Sequence, residues 1–453
     1  MNDQQYRQWL DQPNEQRVML LELEHAAGVL QVADQPYIAP IADHLDDPVY
    51  DDVLIEAVGI STRIDGLIEF GDIRLRDDGG ITHWLGYQFR GYPVRAYLGG
   101  MHWSRADFRL IAVATNEGIR SWERGELVCA IMDASSKLDE PIDTGTLELG
   151  GNPVPFVLGR CFNVPAYRIS TQADTYRISY LPLASVQPRD NGNAVPHAKD
   201  LANGAFTLDN HPGNASTITA AAHEPHDTPM AMVAWIADHY GIEVSPATAL
   251  PDVTVGIQSS SAISGAQILE QLRDTLGAGW MIDALDRLDV RVLTAPTGEP
   301  DMTLAPDDIV DGTLELDTVE PPWSALTLRW GRNDAELRGV AATIDDTDPA
   351  LAARYQRAWS ESTVSQALDG HPLATPVTRD TLLQVESDVT AERDRRLAYH
   401  AERRERWRVN TYVPTVTVYQ SIRVDLAPIA ERIGRVIAVR PQVGGKAELE
   451  ILL

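Results

Sequence analysis

The chain has 453 residues, 44% hydrophobic and 23% charged, a composition that suits several globular domains and excludes a largely disordered or fibrous chain. Its 66 Asp and Glu against 38 Lys and Arg leave a formal net charge of −28, which disfavours general binding to nucleic acid or anionic lipid. Only Cys129 and Cys161 are present, and neither lies in a CxxC pair, so a disulfide framework and a thiolate metal cluster are both excluded, while a single disulfide between the two stays open.

Positive charge is almost all arginine, since lysine occurs only at Lys137, Lys199 and Lys446. Arginine keeps its charge and grips carboxylates through two parallel bonds, which suits persistent ion pairs at packed interfaces. High-GC codon usage would leave the same bias. No run of about 18 apolar residues occurs, so no membrane span is expected. The segment 1–17 is polar and lacks the apolar core of a secretory signal, which points to a soluble protein made in a cytoplasm.

In chain order, residues 1–16 read as a polar arm or short helix. From Arg17 the pattern turns to strands, at 17–23 and 29–32, then 52–58, 67–75, 93–98, 106–114 and 126–132. Turn sequences such as Asp77-Asp78-Gly79-Gly80 and Asn116-Glu117-Gly118 separate them. Residues 17–135 therefore read as a β-barrel or β-sandwich. Residues 136–224 are rich in Pro, Gly and Asn and read as a β connector or second β region. At Thr228-Pro229 the period becomes helical, with Met232, Trp235, Ile236 and Tyr240 on one face and Gly241 as the stop. A second helix is predicted over 264–276, ended by Gly277, followed by a hairpin of 280–283 and 288–292, so 225–299 reads as an α+β unit. Residues 300–453 read as a β domain that packs back on earlier ones. It has strands at 313–319 and 324–330, a helical stretch at 348–368, a long helix over 378–408 and closing strands from 409 onward. The fold class is mainly β with an α+β insertion, in a multi-domain arrangement of β-barrels or sandwiches.

Catalytic patterns are weak. His223-Glu224-Pro225-His226-Asp227 offers metal-type ligands, but its histidines are three apart with a proline between them, not the HExxH spacing of a helix. Asp283, Asp286 and Asp289 lack the glycine and terminal glutamate of a calcium loop. Ser259-Ser260-Ser261 has no recognisable base and reads as the lead-in to the second helix. No nucleophile elbow, P-loop or dinucleotide fingerprint occurs, while paired carboxylates remain open among so many acids. No catalytic, metal or cofactor site is assigned. The densest positive segment is 392–408, where Glu392 precedes Arg396 and Glu402 precedes Arg406 by four residues. It reads either as a self-paired solvated helix or as a basic face for an acidic neighbour. The second reading makes Arg393, Arg395, Arg396, Arg403, Arg404 and Arg406 candidate inter-subunit contacts. A nucleic-acid contact is the weaker third reading.

Four phrases carry a resemblance. They are Arg95-Ala96-Tyr97-Leu98-Gly99-Gly100-Met101-His102-Trp103 with Asp107-Phe108, Pro153-Val154-Pro155-Phe156-Val157-Leu158-Gly159, Leu276-Gly277-Ala278-Gly279-Trp280-Met281-Ile282-Asp283, and Leu326-Thr327-Leu328-Arg329-Trp330-Gly331-Arg332-Asn333. Together they resemble the tail-tip and baseplate hub proteins of long-tailed bacteriophages and gene transfer agents, similar to the hub of contractile tails. The resemblance spans about 17–453 and contains no catalytic fingerprint.

It implies a structural, non-enzymatic virion protein of the phage tail, made in the bacterial host cytoplasm. Two β-barrel domains per chain would form a pseudo-hexameric ring from a homotrimer. The partners implied are copies of itself, the tail tube or distal tail protein, and tip or fibre proteins, with DNA only passing through the channel. Alternatives are a hexameric distal tail protein, or a carbohydrate-binding adhesin using Trp84, Trp103 and Trp122.

Overall fold

The computed structural model describes residues 3–10, 12, 15–37, 49–55, 60–64, 68–70, 72–132, 135–170, 173–213, 216–368, 370–413, 415–442 and 446–453. The fold is mainly β, in several sheets. The first sheet has six antiparallel strands in the order Gly28–Ala33, Arg17–His25, Pro93–Gly100, Arg109–Glu123, Glu126–Met132 and Ile73–Arg76. Strand Arg17–His25 is apolar on both faces, and successive side chains point to opposite sides of a strand. Met19, Leu21 and Leu23 enter one core with Ile73, Leu75 and Trp84, while Val18 and Leu20 pack with Tyr37, Tyr50 and Phe108.

Segment 50–55 closes this sheet. The Ala33 amide donates to the Asp51 carbonyl at 2.8 Å, and the Ile55 amide donates to the Arg74 carbonyl at 2.9 Å, so one short segment bonds to both edge strands. The expected strand 52–58 is thus a seam over 51–55, and its residues 56–58 lie outside the described residues. The strand expected at 106–114 runs over Arg109–Glu123, bent by irregularities at 116–118 and 119–121. The single strand expected at 67–75 is instead two strands in different sheets. Ile73–Arg76 stays in the first sheet, while Ile68–Phe70 pairs with Ile60–Arg63. That hairpin leaves the first barrel and pairs with Ile433–Gln442.

The Pro- and Gly-rich region holds ordered sheets. One has five strands, including Phe156–Pro165, Ser185–Asp190, Ile218–His223 and Gly256–Ser259; a smaller one has four. Two backbones cross closely here. A Cβ on Gly256 would lie 1.8 Å from the Arg160 carbonyl oxygen, and one on Gly159, at φ +78°, would lie 2.4 Å from the Val255 oxygen.

Helices Pro229–Tyr240 and Gly265–Leu276 follow their sequence signals. The Thr228 hydroxyl accepts from the Ala231 amide, and Ser264 and Gln267 form a capping box. Gly241 and Gly277 take the left-handed conformation at the helix ends. Their apolar faces share one interior with Trp280, Leu326, Leu328, Leu383 and Leu397.

Two helical expectations are corrected. The stretch 348–368 contains one short helix, Pro349–Tyr355, which follows helix Ala342–Thr347, and then strand Ser360–Ser365, whose Thr363 and Val364 lie in a β-pair with Ala325–Trp330. The long helix over 378–408 is the single helix Glu386–Tyr399, flanked by strands Pro376–Asp380 and Arg404–Thr411. In the latter, Glu405, Trp407, Val409 and Thr411 are buried while Arg406 and Arg408 are only half-buried, a period of two that outcompetes the helical charge spacing.

Strand Arg404–Thr411 belongs to the last sheet, an eight-stranded half-barrel. Its main path runs Met302–Leu304, Ser421–Val424, Ile433–Gln442, Lys446–Leu452, Arg404–Thr411 and Glu315–Glu320. Trp407, Val409, Val436, Leu449 and Ile451 fill its inner side. Because the Gly256 crossing leaves no room for a methyl group, Gly256→Ala is expected to lower unfolding free energy by about 3 kcal/mol or more. Urea denaturation reads this, and a variant as stable as the parent would contradict the crossing.

Candidate functional site

Clusters of reactive side chains are bonded into the fold. Among the described residues, no group of three or more His, Cys, Asp or Glu is placed to hold a metal. The Glu224 carboxylate, 3% exposed, accepts from the amides of Gly159 and His226 at 3.0 and 2.9 Å and contacts His226 Nδ1 at 2.6 Å. Asp227 holds His223 Nε2 at 3.0 Å and Arg160 at 3.1 Å. Both carboxylates therefore fix the loop that leads into helix Pro229–Tyr240. Asp283 accepts from the amides of Leu285 and Arg287 and pairs with the Arg287 guanidinium at 2.7 Å, which closes a hairpin turn. Asp289 pairs with Arg291 in the same hairpin. The hydroxyls of Ser259 and Ser261 lie 3.3 Å apart on an open polar depression with Asp139, Gln267 and Glu270.

Both cysteines are free and buried, and burial pushes the Cys129 thiol up to about 11. Of the tryptophans raised as sugar-stacking candidates, Trp84 is core at 4% exposure. Trp103 lies beneath Trp9, their ring centroids 4.4 Å apart. Trp122 is half-exposed, and its Nε1 donates to Asp77 at 2.7 Å.

The six candidate arginines separate by position. Arg395 and Arg396, on helix Glu386–Tyr399, reach the C-terminal end of helix Gly265–Leu276. Arg396 Nη1 donates to the Asp274 carbonyl at 2.6 Å, and Arg395 Nη2 donates to the Leu276 carbonyl at 2.6 Å. Those carbonyls have no partner within their own helix and carry the negative end of its dipole, so a cation there satisfies both needs. Between them Glu392, 6% exposed, pairs with Arg395 at 2.7 Å, and burial raises its carboxyl above the usual range. Arg404 donates to the Tyr399 carbonyl and lies over that ring. Arg393 donates to Ser362 at 2.7 Å, and Arg403 pairs with Glu405. Arg406 lies 3.9 Å from Glu450, a carboxylate 2% exposed that also meets Arg63 at 3.3 Å, Arg440 at 3.7 Å and Arg408 at 3.9 Å. The Glu402–Arg406 spacing seen in the sequence thus gives way to a cross-strand ion cluster.

One group escaped sequence reasoning. Segment 331–341 is clamped onto the five-stranded sheet by Asn333, which is 5% exposed. Its amide donates to the carbonyls of Arg354, Tyr355 and Arg357, and its oxygen accepts from Asn163 at 2.8 Å. Next to it, burial pushes the Asp334 carboxyl up to about 7, despite Arg332 Nε at 3.0 Å. No local pattern around Asp334 signals this, because the burial comes from distant strands. The same segment borders an open polar cavity of about 670 Å³, lined by Asp190, Asn191, Thr217 and Glu336 among others.

Two outcomes follow from this geometry. Arg396→Ala removes one partner from a buried ionic group and is expected to lower stability by about 3–5 kcal/mol in urea titrations; a change under about 1 kcal/mol would mean the side chain is free for other contacts. The folded Asp334 keeps a proton that the unfolded chain releases near pH 4, so its contribution falls as pH rises from about 4 to about 7. Asp334→Asn is expected to stabilise the protein at pH 8 by up to about 4 kcal/mol and to change little at pH 4. An equal effect at both pH values would contradict this.

No protein-family model matches the chain, and no curated protein matches it. Among solved structures, the chain is similar to the 43 kDa tail protein of prophage MuSo2 from Shewanella oneidensis, with 9% identity and a TM-score of 0.45, over 96% of this chain and 98% of that one. It is similar to a chain of the native gene transfer agent virion, with 12% identity and a TM-score of 0.47, over 69% of this chain and 88% of that one. It is also similar to a tail protein from Neisseria meningitidis MC58, with 9% identity and a TM-score of 0.44, over 97% of each. Two of these neighbours are tail proteins and one is a virion chain, and at such identities the likeness assigns no activity.

Proposed function

We propose that the chain is a structural subunit of a phage-type tail tip, forming the hub ring between the tail tube and the tip or fibre proteins. The observation that carries this reading is the presence of two barrel-like units in one chain, the barrel built from strands between Arg17 and Met132 and the half-barrel made largely by strands between Met302 and Leu452, joined by the paired strands Ile60–Arg63 and Ile68–Phe70. A chain with two such units gives a three-fold assembly six barrel positions, the arrangement needed to join a six-fold tube to a three-fold tip. Three further features support it. The charged clusters described above brace the fold rather than frame a reactive pocket, which suits a non-enzymatic role. A net charge of −28 lets DNA pass a ring without sticking, since like charges raise the cost of adsorption. Arg393, Arg403 and Arg406 are the candidates that remain for contacts between copies, because Arg395, Arg396 and Arg404 reach main-chain carbonyls of their own chain.

Rotational averaging of negatively stained particles formed by the purified chain, or of tails that contain it, tests the assignment. Three-fold order is expected. Six-fold order with one barrel position per chain would favour the distal tail alternative, and the absence of any ring would overturn both.

A further inference from the structure

Strands Ala325–Trp330 and Ser360–Ser365 are neighbours in one sheet, with Trp330 directly opposite Ser360. The chain between them, 331–359, is an excursion that leaves and re-enters the sheet at one point. Gly331 turns the chain outward at φ +57°, and its amide donates to the Leu383 carbonyl at 2.8 Å. The two limbs of the excursion are bonded to each other. The Asn333 amide donates to the Ala358 carbonyl at 2.8 Å and the Leu337 amide to the Tyr355 carbonyl at 2.9 Å, beside the three carbonyls that the Asn333 side chain holds. Leu337, Ile344, Ala352 and Tyr355 are buried, yet among the described residues none belongs to the apolar interiors of the barrels or the central unit.

What fastens this unit to the five-stranded sheet is mostly polar. Asn163 Nδ2 donates to Asn333 Oδ1 at 2.8 Å and to the Ala335 carbonyl at 2.7 Å. Further out, the Ala341 amide donates to the Asn191 carbonyl at 3.0 Å, and the Thr343 hydroxyl donates to Asn193 Oδ1 at 2.8 Å. The Tyr355 ring packs on Phe162, centroids 5.0 Å apart. Asp334 sits at the root of the excursion. Its side chain is 3% exposed, and Arg332 Nε lies 3.0 Å from Oδ1 but out of line, so this buried oxygen has no hydrogen-bond donor. On the sheet side, Cys161 lies within electrostatic reach of Asp334, of Arg332 and of Glu224. Arg354 lies over the Phe162 ring and Arg357 donates to Ser360, so neither guanidinium pairs with Asp334. A buried carboxylate with one poorly aligned cation is costly, whereas the protonated carboxyl is not.

We propose that 331–359 is a hinged flap, latched on the five-stranded sheet while Asp334 holds its proton and released as a unit once that proton leaves. Release uncovers the Phe162 ring and Asn163, so the chain presents one surface in acid and another above neutrality. Burial holds the carboxyl of the closed flap up to about 7, and in an open flap, wetted, it titrates near pH 4. Protons therefore favour the closed flap, and opening becomes easier as pH rises from about 4 to about 7 and changes little above that. Opening breaks a few polar contacts and leaves the apolar interiors intact, which makes it a local event below the free energy of global unfolding. The flap acts within one chain and does not depend on the ring.

Hydrogen–deuterium exchange of the full chain, followed by mass spectrometry from about pH 5 to about pH 9 and corrected for the intrinsic exchange rate, reads the opening. The Ala341 amide, whose acceptor lies across the interface, is expected to exchange about tenfold faster for each pH unit between about 5 and about 7, and to level off above about 8. Asp334→Asn keeps the side-chain shape and removes the titration, so its flap is expected to stay closed with no such slope. A disulfide between Thr343→Cys and Asn193→Cys locks the flap in a chain that keeps Asp334, and it is expected to abolish the slope even if Asp334→Asn misfolds. A parent flap without pH dependence, or the parent's slope in either variant, would overturn the proposal. An equal slope in strand Arg17–His25 of the first barrel would overturn it too, because the proton would then govern unfolding of the whole chain.

Discussion

The architecture depends on one apolar interior assembled from segments far apart in the chain. Ile236, Leu269 and Leu272 from two helices meet Trp280 and Leu288 from a hairpin, then Leu326 and Leu328, and finally Leu383, Val389 and Leu397. Burying these side chains together is the main favourable term, at roughly 1.5–3 kcal/mol for each fully buried large residue. It also fixes where everything else can sit. The first barrel touches this unit where the Val113 amide donates to the Ala284 carbonyl at 2.8 Å. The hairpin from that barrel is held on both sides, since Trp280 donates to Ile64 and Ile64 donates to Ile437. The central unit is thus the bracket that sets the two barrels against each other.

Arginine completes that bracket. The orphan carbonyls at the end of helix Gly265–Leu276 would be a liability beside an apolar interior, and Arg395 and Arg396 satisfy them from a helix more than 100 residues later. A lysine could not reach several acceptors in fixed geometry in this way. The same residue type organises the outer face of the half-barrel, where four guanidiniums surround Glu450. The scarcity of lysine therefore has a structural use in this chain, whatever its origin in codon usage.

Much of this was legible in the sequence, and the failures have definite causes. Thr228, Gly241, Ser264 and Gly277 marked two helices because capping is local chemistry that needs no tertiary context. The strand pattern from Arg17 was legible because short apolar runs bounded by turn residues are equally local. Residues 400–409 carried two signals at once, charge pairs at helical spacing and a buried alternation through Glu405, Trp407 and Val409, and the sheet decided between them. Ser360–Ser365 was read as helix because its polar residues give no alternation, and only its neighbour Ala325–Trp330 makes it a strand. The role of Arg395 and Arg396 lay beyond any reading of spacing, because their acceptors are main-chain atoms 119 and 122 residues away. Asp334 was illegible for the same reason.

These observations describe a chain whose polar side chains hold a scaffold, proposed above as the subunit of a three-fold ring. Native mass spectrometry of the purified full chain, sprayed from a near-neutral volatile buffer, measures that claim most directly. A dominant closed species of three chains is the expected result. A spectrum holding single chains alone, at every concentration sampled, would contradict it.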